Sequence, residues 1–541
     1  MPTHEVLNQV PRLVGYNLFT SDRVLQEALA REEASWAAES ATRLGEKLGS
    51  EEAIDWGFDA NNNPPVLHTH DTRGHRIDEV RFHPAWYELM GLSVSYGLHN
   101  LPWAQPRAGA HVARAALFYM ASQNEGGHGC PISMTYAAVP TLRCQSELAR
   151  EWEPWIASTQ YDRRLRPATE KSGVLLGMAM TEKQGGSDVR ANTTRAVPAG
   201  RGGGGSEYRL TGHKWFCSAP MCDAFLVLAQ APGGLSCFLL PRFLPDGTLN
   251  RLYIQRLKNK LGNRSNASSE VEFEDTYAQL VGKEGRGVKT ILEMVNHTRL
   301  DCTLGSAAMM RQAVVQATHH DAHRSAFGRR LIEQPLMKNV LADLAIESEA
   351  ATVLAMRLAR AYDRQDEQEA RLRRIATAVA KFWVCKRGSA QVGEALECLG
   401  GNGFVEDSMM PRLYRESPLN SIWEGSGNVM CLDVLRAMGR TPNIADVLRN
   451  EMGTDPRLKS FADRLSKRLS APDRNDEAQA RALVRELVLA LQAGLLIKHA
   501  PAAVADAFCA SRLDGDGGST FGLLPRGVDL RTIVDRAAPA N

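Results

Sequence analysis

The chain has 541 residues, 64 of them Lys or Arg and 62 Asp or Glu, with a hydrophobic fraction of 44% and a charged fraction of 23%. That length exceeds what one hydrophobic core supports and predicts three or four domains, while the composition excludes global disorder. A formal net charge of +2 excludes a nucleic-acid signature spread over the whole chain; any DNA contact must be concentrated on one face.

Residues 1–175 carry helical periodicity broken by Pro and Gly, as in His111–Met120 and Leu142–Ser158, with a loop at Asn62–Pro65 ending an N-terminal arm. From 176 to 285 the texture changes to short strands: Tyr208–Gly212, Ala224–Ala229, Ser236–Leu240 and Ser269–Phe273. The run Gly202–Gly205 has no Lys-Ser/Thr behind it and reads as a hairpin turn rather than a phosphate loop. From 286 to 440 long helices return at Val288–His323, Leu336–Asp363 and Arg371–Leu399, with the three- and four-residue apolar spacing of bundle helices. Residues 441–541 are again helical, mainly over Asp476–Ala500, punctuated by Pro501 and Asp514–Gly518. The ten cysteines are dispersed with no C-x-x-C pair, so small buried hydrophobes in a reducing, cytoplasmic setting are expected, with no metal site and no disulfide framework. Neither an export signal nor a run of about 20 apolar residues is visible; Leu487–Ile497 reads as a buried helix.

Five segments carry chemistry. Met178-Ala-Met-Thr-Glu-Lys-Gln-Gly-Gly-Ser-Asp188 is an apolar strand end entering a Gly-Gly turn flanked by hydroxyls, which offers backbone N–H and O–H groups to a planar polar ligand or a phosphate, although Gly-Gly-Ser-Asp is also a common surface turn. The others are Gly212-His-Lys-Trp-Phe-Cys-Ser218, Arg324-Ser-Ala-Phe-Gly328, Leu399-Gly-Gly-Asn-Gly-Phe404 and Ser421-Ile-Trp-Glu-Gly-Ser-Gly-Asn428.

In this order and spacing the five segments resemble the signatures of the acyl-CoA dehydrogenase family over most of residues 80–440. The resemblance implies an α+β multidomain fold: an N-terminal helical domain (1–175), a middle β-barrel or sandwich domain (176–285), a four-helix bundle completing the FAD and acyl-CoA site (286–440), and an extra C-terminal helical domain (441–541). It implies FAD as cofactor. Met178, Met180, Thr181, Gly186 and Ser187 would wrap the flavin pyrimidine ring. Phe216, with Cys217 beside it, would take the aromatic place against the isoalloxazine, where Trp is more usual, and Ser218 would supply a hydroxyl near N5. Arg324 and Phe327 would reach the diphosphate and adenine side from a neighbouring subunit, and Gly401 the ADP portion. Ile422, Trp423, Ser426 and Asn428 would complete the cofactor surface. Pro335 stands where the family has Gln, with Gln334 one residue earlier; Glu397 replaces another family Gln.

Glu424 falls at the position of the catalytic base, which takes the α-proton of an acyl-CoA thioester. A buried Glu beside a flavin has a raised pKa and can serve near neutral pH. The alternative base position, before Arg299, holds Thr298 and offers no carboxylate. Arg299 is either near the acyl-CoA, as in the family, or an ordinary buried ion pair. Trp423 beside the base, bulkier than the usual Tyr, is expected to shorten the acyl pocket in favour of small or branched chains.

Within the family the chain is most similar to the alkylation-response branch, through Met178–Asp188, Lys260–Ala267, Asn420–Asn428 and the tail after residue 440. That branch implies a homotetramer, weak dehydrogenation of short branched acyl-CoAs, and double-stranded DNA binding through the C-terminal region. The alternative is a dedicated metabolic dehydrogenase that passes electrons to an electron-transfer flavoprotein or another acceptor and has no DNA role. Arg457, Lys459, Arg464, Lys467, Arg468, Arg481 and Arg485 could form a phosphate-contacting stripe, but Asp455, Asp463, Asp473 and Asp476 interleave with them as on an ordinary solvated face.

Overall fold

Apolar runs separated by Gly, Pro and Asp become seven strands between residues 176 and 281 in the computed structural model, which describes residues 3–200, 203–440, 447, 449–514 and 519–539. Two further strands precede them. In chain order these are β1 (Val66–His70), β2 (Arg76–Arg81), β3 (Leu176–Ala179), β4 (Arg195–Pro198), β5 (Glu207–Ser218), β6 (Ala224–Ala231), β7 (Gly234–Pro241), β8 (Leu252–Leu257) and β9 (Ser268–Val281). The contacts divide the chain into two compact units: Met1–Glu51, Ala108–Asn124 and Cys302–Asn541 form the first, and Glu52–Arg107 with Glu125–Asp301 the second.

In the second unit, β6–β4–β5–β9–β7 pair in sequence and β7 returns to β6, so the sheet closes into a barrel; β3 adds to β6 in parallel and β8 to β9. Closure leaves β6 and β7 with near-continuous apolar interiors such as Phe225, Val227, Phe238 and Leu240. The helix Gly129–Leu142 packs on β3, where the Thr135 hydroxyl accepts from the Leu176 N–H at 3.0 Å. Beside it the buried Glu125 accepts from Asn61, Ser265, the main-chain N–H of Gly127 and His128, and the His128 ring. Burial pushes the Glu125 carboxyl up, but the His128 ring, followed by its N–H and Asn61, outweighs this and holds it well below the usual range.

The first unit is helical. Pro335–Asp363 (29 residues) and Glu367–Cys398 (32 residues) pack along each other, with Ala480–His499 against both and against Gly427–Met438. Asp366 caps its helix by accepting from the Glu369 N–H at 3.0 Å. Three buried arginine clusters join the C-terminal region to the bundle. Arg512 pairs with Asp343 and Glu347, Arg536 with Glu349 and Glu27, and Arg357 with Glu369 and Glu451.

The expected strands and long helices are present, with two differences. The N-terminal segment, expected as helices interrupted by Pro and Gly, also contains the β1–β2 hairpin, and the helical stretch expected over Leu142–Ser158 is the helix Ser146–Ile156, parted from Gly129–Leu142 at Arg143–Gln145. Gly203–Gly205 do form the turn into β5; Gly202 and residues 515–518 lie outside the described residues. Nine cysteines are buried and Cys144 is exposed, all of them free thiols. Among the described residues no helix is long and apolar enough to cross a membrane, and no cluster of metal-ligating side chains occurs.

Candidate flavin and acyl-CoA site

The candidate residues divide between the two units. In the second unit, β3 leads through Met178 and Met180, both partly exposed, into the loop at Thr181. A β-carbon at Gly186 would stand 2.3 Å from Thr181 Oγ1; only glycine allows the turn to close onto that hydroxyl. The loop is fixed to β5 by main chain, since the Trp215 N–H donates to the Thr181 carbonyl at 2.8 Å.

Trp215 and Phe216 together oppose one residue of β9, because the register slips between Lys214 and Cys217. This bulge aims Phe216 outward, and its ring is 48% exposed. Ser218 is partly exposed on the same side. Cys217 alternates inward, its side chain wholly buried and its thiol pushed by burial up to about 12. Strand alternation thereby turns the Cys217 thiol away from the side on which Phe216 and Ser218 are exposed.

Two residues not singled out from the sequence hold this loop. Glu182 and Lys214 form a fully buried ion pair at 2.7 Å, and the Lys214 ammonium also donates to the Leu228 carbonyl at 2.7 Å. Glu182 accepts in addition from the Thr193 N–H and hydroxyl, the Thr194 N–H and Gln184. Burial draws Lys214 down to about 8 against the pull of Glu182. For Glu182, burial works upward, but the Lys214 charge and the Thr193 and Thr194 donors prevail and keep it well below the usual range. Both residues stand inside quoted motifs, Thr-Glu and Gly-x-Lys; opposite charges in two neighbouring signatures were the available signal. Arg299 is buried, on the helix Gly287–His323.

In the first unit, Ile422–Glu424 follow the short 3-10 turn Leu419–Ser421 and precede the helix Gly427–Met438, with Ser426 at its N-cap position. Ile422 is 63% exposed and Glu424 half-buried. Glu424 adopts φ +57° and Gly425 φ +102°, so a non-glycine residue sits in left-handed backbone next to a glycine that also needs it. The Trp423 indole N–H donates to Asn420 Oδ1 at 2.8 Å, and Asn420 donates to Ser306 at 3.2 Å. Asn428 is exposed and accepts from Arg481 at 2.8 Å. Gly400 and Gly401 lead a short turn into open space: a β-carbon at either would meet nothing within 4 Å. Phe327 stands with Gly328 at the tip of a tight hairpin (Ser325–Ala326 with Arg329–Arg330), both at positive φ, its ring 96% exposed. Arg324 bonds the Asn8 carbonyl, and Gln334 donates to the Ala326 carbonyl at 3.0 Å, so Gln334 holds the hairpin.

A half-exposed ring, two thioether side chains, exposed main chain and the hydroxyls of Thr181 and Ser218 together match a flat heteroaromatic ring with polar edges, as in a flavin.

The N-terminal domain model of the adaptive response protein AidB matches residues 8–163, and the acyl-CoA dehydrogenase middle and C-terminal domain models match 177–276 and 285–439. The acyl-CoA dehydrogenase homologue AidB of Escherichia coli (strain K12) is 48% identical over 520 residues, 95% of each chain. The chain belongs to the acyl-CoA dehydrogenase family. It is an FAD-dependent acyl-CoA dehydrogenase of the AidB type. Acyl-CoA dehydrogenase family member 11 of Caenorhabditis elegans is 31% identical over 442 residues, 78% of this chain and 70% of the relative. The solved structure of ACDH-11 from Caenorhabditis elegans in complex with C11-CoA superposes with a TM-score of 0.86 at 27% identity, covering 95% of both chains. The acyl-CoA dehydrogenase from Bacillus anthracis complexed with FAD shares the fold at 19% identity, TM-score 0.64, over 84% of this chain and 87% of that one.

Proposed function

We propose that Glu424 is the base of this dehydrogenase and removes the α-proton of a short or branched acyl-CoA thioester. The observation that carries the reading is the left-handed backbone of Glu424, half-buried at the edge of a helix and held against its own preference, the kind of strain that folds keep at functional positions. FAD, when bound, would supply the acceptor for the β-hydride. In the second unit Met178, Met180, Thr181, Gly186, Ser187, Phe216, Ser218 and the main chain of Cys217 would hold its ring; in the first, Gly401, Ile422, Ser426 and Asn428 are the residues that would contact it. Arg299 and Trp423 bound the acyl-CoA, and the bulk of the Trp423 indole favours small acyl groups. The main-chain N–H of Glu424 donates to the thioester carbonyl and stabilises the developing enolate.

The exposed Phe327 tip and Arg324 support a homotetramer in which this hairpin reaches the cofactor of a neighbour. An electron-transfer flavoprotein or another acceptor reoxidises the cofactor, and the protein works in the cytoplasm. The deciding experiment mixes the FAD-loaded protein with isovaleryl-CoA without oxygen and follows flavin absorbance, with Glu424→Gln in parallel. Bleaching in the parent and none in the variant supports the base; equal bleaching removes it.

A second reading adds double-stranded DNA binding in the response to alkylation damage. It draws on the likeness to AidB and on the exposed side chains of Lys459, Arg464, Lys467 and Arg485. Against it, Arg457 is engaged with Asp455 and Asp506, and Arg468 with Glu486. Retention on a duplex DNA column that falls steeply with salt and is lost on replacing those four residues supports this reading; no retention at low salt leaves the metabolic dehydrogenase.

A further inference from the structure

Lys381 lies inside the helix Glu367–Cys398 and is 1% exposed. Its ammonium donates to the main-chain oxygens of Asn420 at 2.9 Å and Gly425 at 2.8 Å. Both partners are neutral carbonyls; among the described residues no ion pair joins it. Burying a charge without a counter-ion is unfavourable, and an apolar side chain of similar length would fill the same space without the desolvation. The retention of an ammonium here therefore asks for a task that packing does not perform.

The two acceptors bracket Ser421–Glu424. At one end Asn420 receives the ammonium on its carbonyl while its side chain receives the Trp423 indole N–H. At the other end Glu424 sits at φ +57° and the clamped carbonyl belongs to Gly425, at φ +102°. A non-glycine residue in that region persists only where its surroundings over-determine it. Two fixed peptide planes, one on each side of a four-residue turn, supply that determination.

We infer that Lys381 is a positioning residue for the base: it clamps both ends of the turn and thereby fixes where the Glu424 carboxylate stands. The inference rests on Glu424 being the base. Lys381 neither touches the substrate nor takes a proton; it acts through the loop. Displacing a reacting group by about 1 Å slows a reaction on the order of 100-fold, which sets the size of the effect.

The test uses full-length, FAD-loaded protein: the parent, Lys381→Met, Lys381→Gln, Glu424→Gln and the double variant Lys381→Met/Glu424→Gln. The limiting rate of anaerobic flavin bleaching at saturating isovaleryl-CoA is separated from the apparent affinity, and FAD content is read from the absorbance spectrum. Lys381→Met is expected to lower the limiting rate on the order of 100-fold while apparent affinity and FAD content stay within about threefold, because the clamp acts on geometry and not on uniform binding. The double variant is expected to match Glu424→Gln, since a positioning residue has nothing to position once the carboxylate is gone. Glutamine reaches one atom less far and cannot span both carbonyls; should the methionine variant lose FAD, Lys381→Gln carries the test with the same expectation. A parental limiting rate in either Lys381 variant, or losses that multiply in the double variant, overturns the inference. Parental bleaching by Glu424→Gln removes the base assignment itself, whatever Lys381 does.

Discussion

Two buried lysines, one in each unit, hold candidate segments, and they are held differently. Lys214 in the barrel meets the Glu182 carboxylate, which itself gathers three N–H or O–H donors from Thr193 and Thr194. Lys381 in the helical unit meets only carbonyl oxygens. A paired charge staples a loop to a strand and can be exchanged, with its partner, for apolar side chains with modest loss. An unpaired ammonium on two carbonyls has no partner to exchange, so its value lies in the shape of the turn it holds. The contrast separates a loop that needs anchoring from one that needs aiming.

The largest effect expected is that of Glu424→Gln, which should slow anaerobic bleaching by about 10²–10⁴-fold, the range of a lost general base, with unchanged thermal stability. Stopped-flow absorbance and a melting curve read both, and a loss of stability equal to the loss of rate would blur the distinction drawn here. Next, Lys214→Met strands the Glu182 carboxylate and should destabilise the barrel by about 3–5 kcal/mol. The double change Glu182→Leu/Lys214→Met should recover more than half of that, as denaturant titration would show. A double variant no better than the single one would mean that Lys214, like Lys381, is valued for its carbonyl contact to Leu228.

A third buried charge sharpens the comparison through pH. Glu125 has its folded pKa depressed, so its stabilisation is intact above the ordinary carboxylate value of about 4.3 and is lost as pH falls from there toward the folded value. Glu125→Gln should therefore lower the denaturant midpoint at pH 7 and flatten the decline below about pH 4. An unchanged acid limb would place the acid sensitivity elsewhere. The smallest effect expected is that of Trp423→Tyr, which should move the preferred acyl chain longer by a few-fold in kcat/KM per methylene, about 1 kcal/mol. A preference unmoved across a chain-length series would detach Trp423 from the pocket.

Much of this was legible in order and type. The long helices announced themselves by apolar spacing, and β5, β6, β7 and β9 by compact apolar runs between turn residues. The β1–β2 hairpin was not, because Val66-Leu-His-Thr-His70 and Arg76-Ile-Asp-Glu-Val-Arg81 are mostly polar and only partly buried. The motifs pointed to Phe216, Ser218 and Glu424, but parity along β5 was needed to turn Cys217 inward, and the bulge before it decides that parity. Lys381 carried no local sign at all. A lysine near the middle of an amphipathic pattern reads as solvent-facing, and its burial depends on a turn some 40 residues later.

The arginine clusters that join the tail to the bundle bear on how such a chain can be divided. Asp343, Glu347 and Glu349 project from one helix near the middle of the chain, and the guanidinium groups of Arg512 and Arg536 that answer them come from its last tenth. A chain cut before Arg512 would leave Asp343 and Glu349 without these cationic partners. Tail and bundle therefore stand or fall as one folded unit, and a fragment beginning at residue 441 is no fair stand-in for the tail when DNA binding is tested.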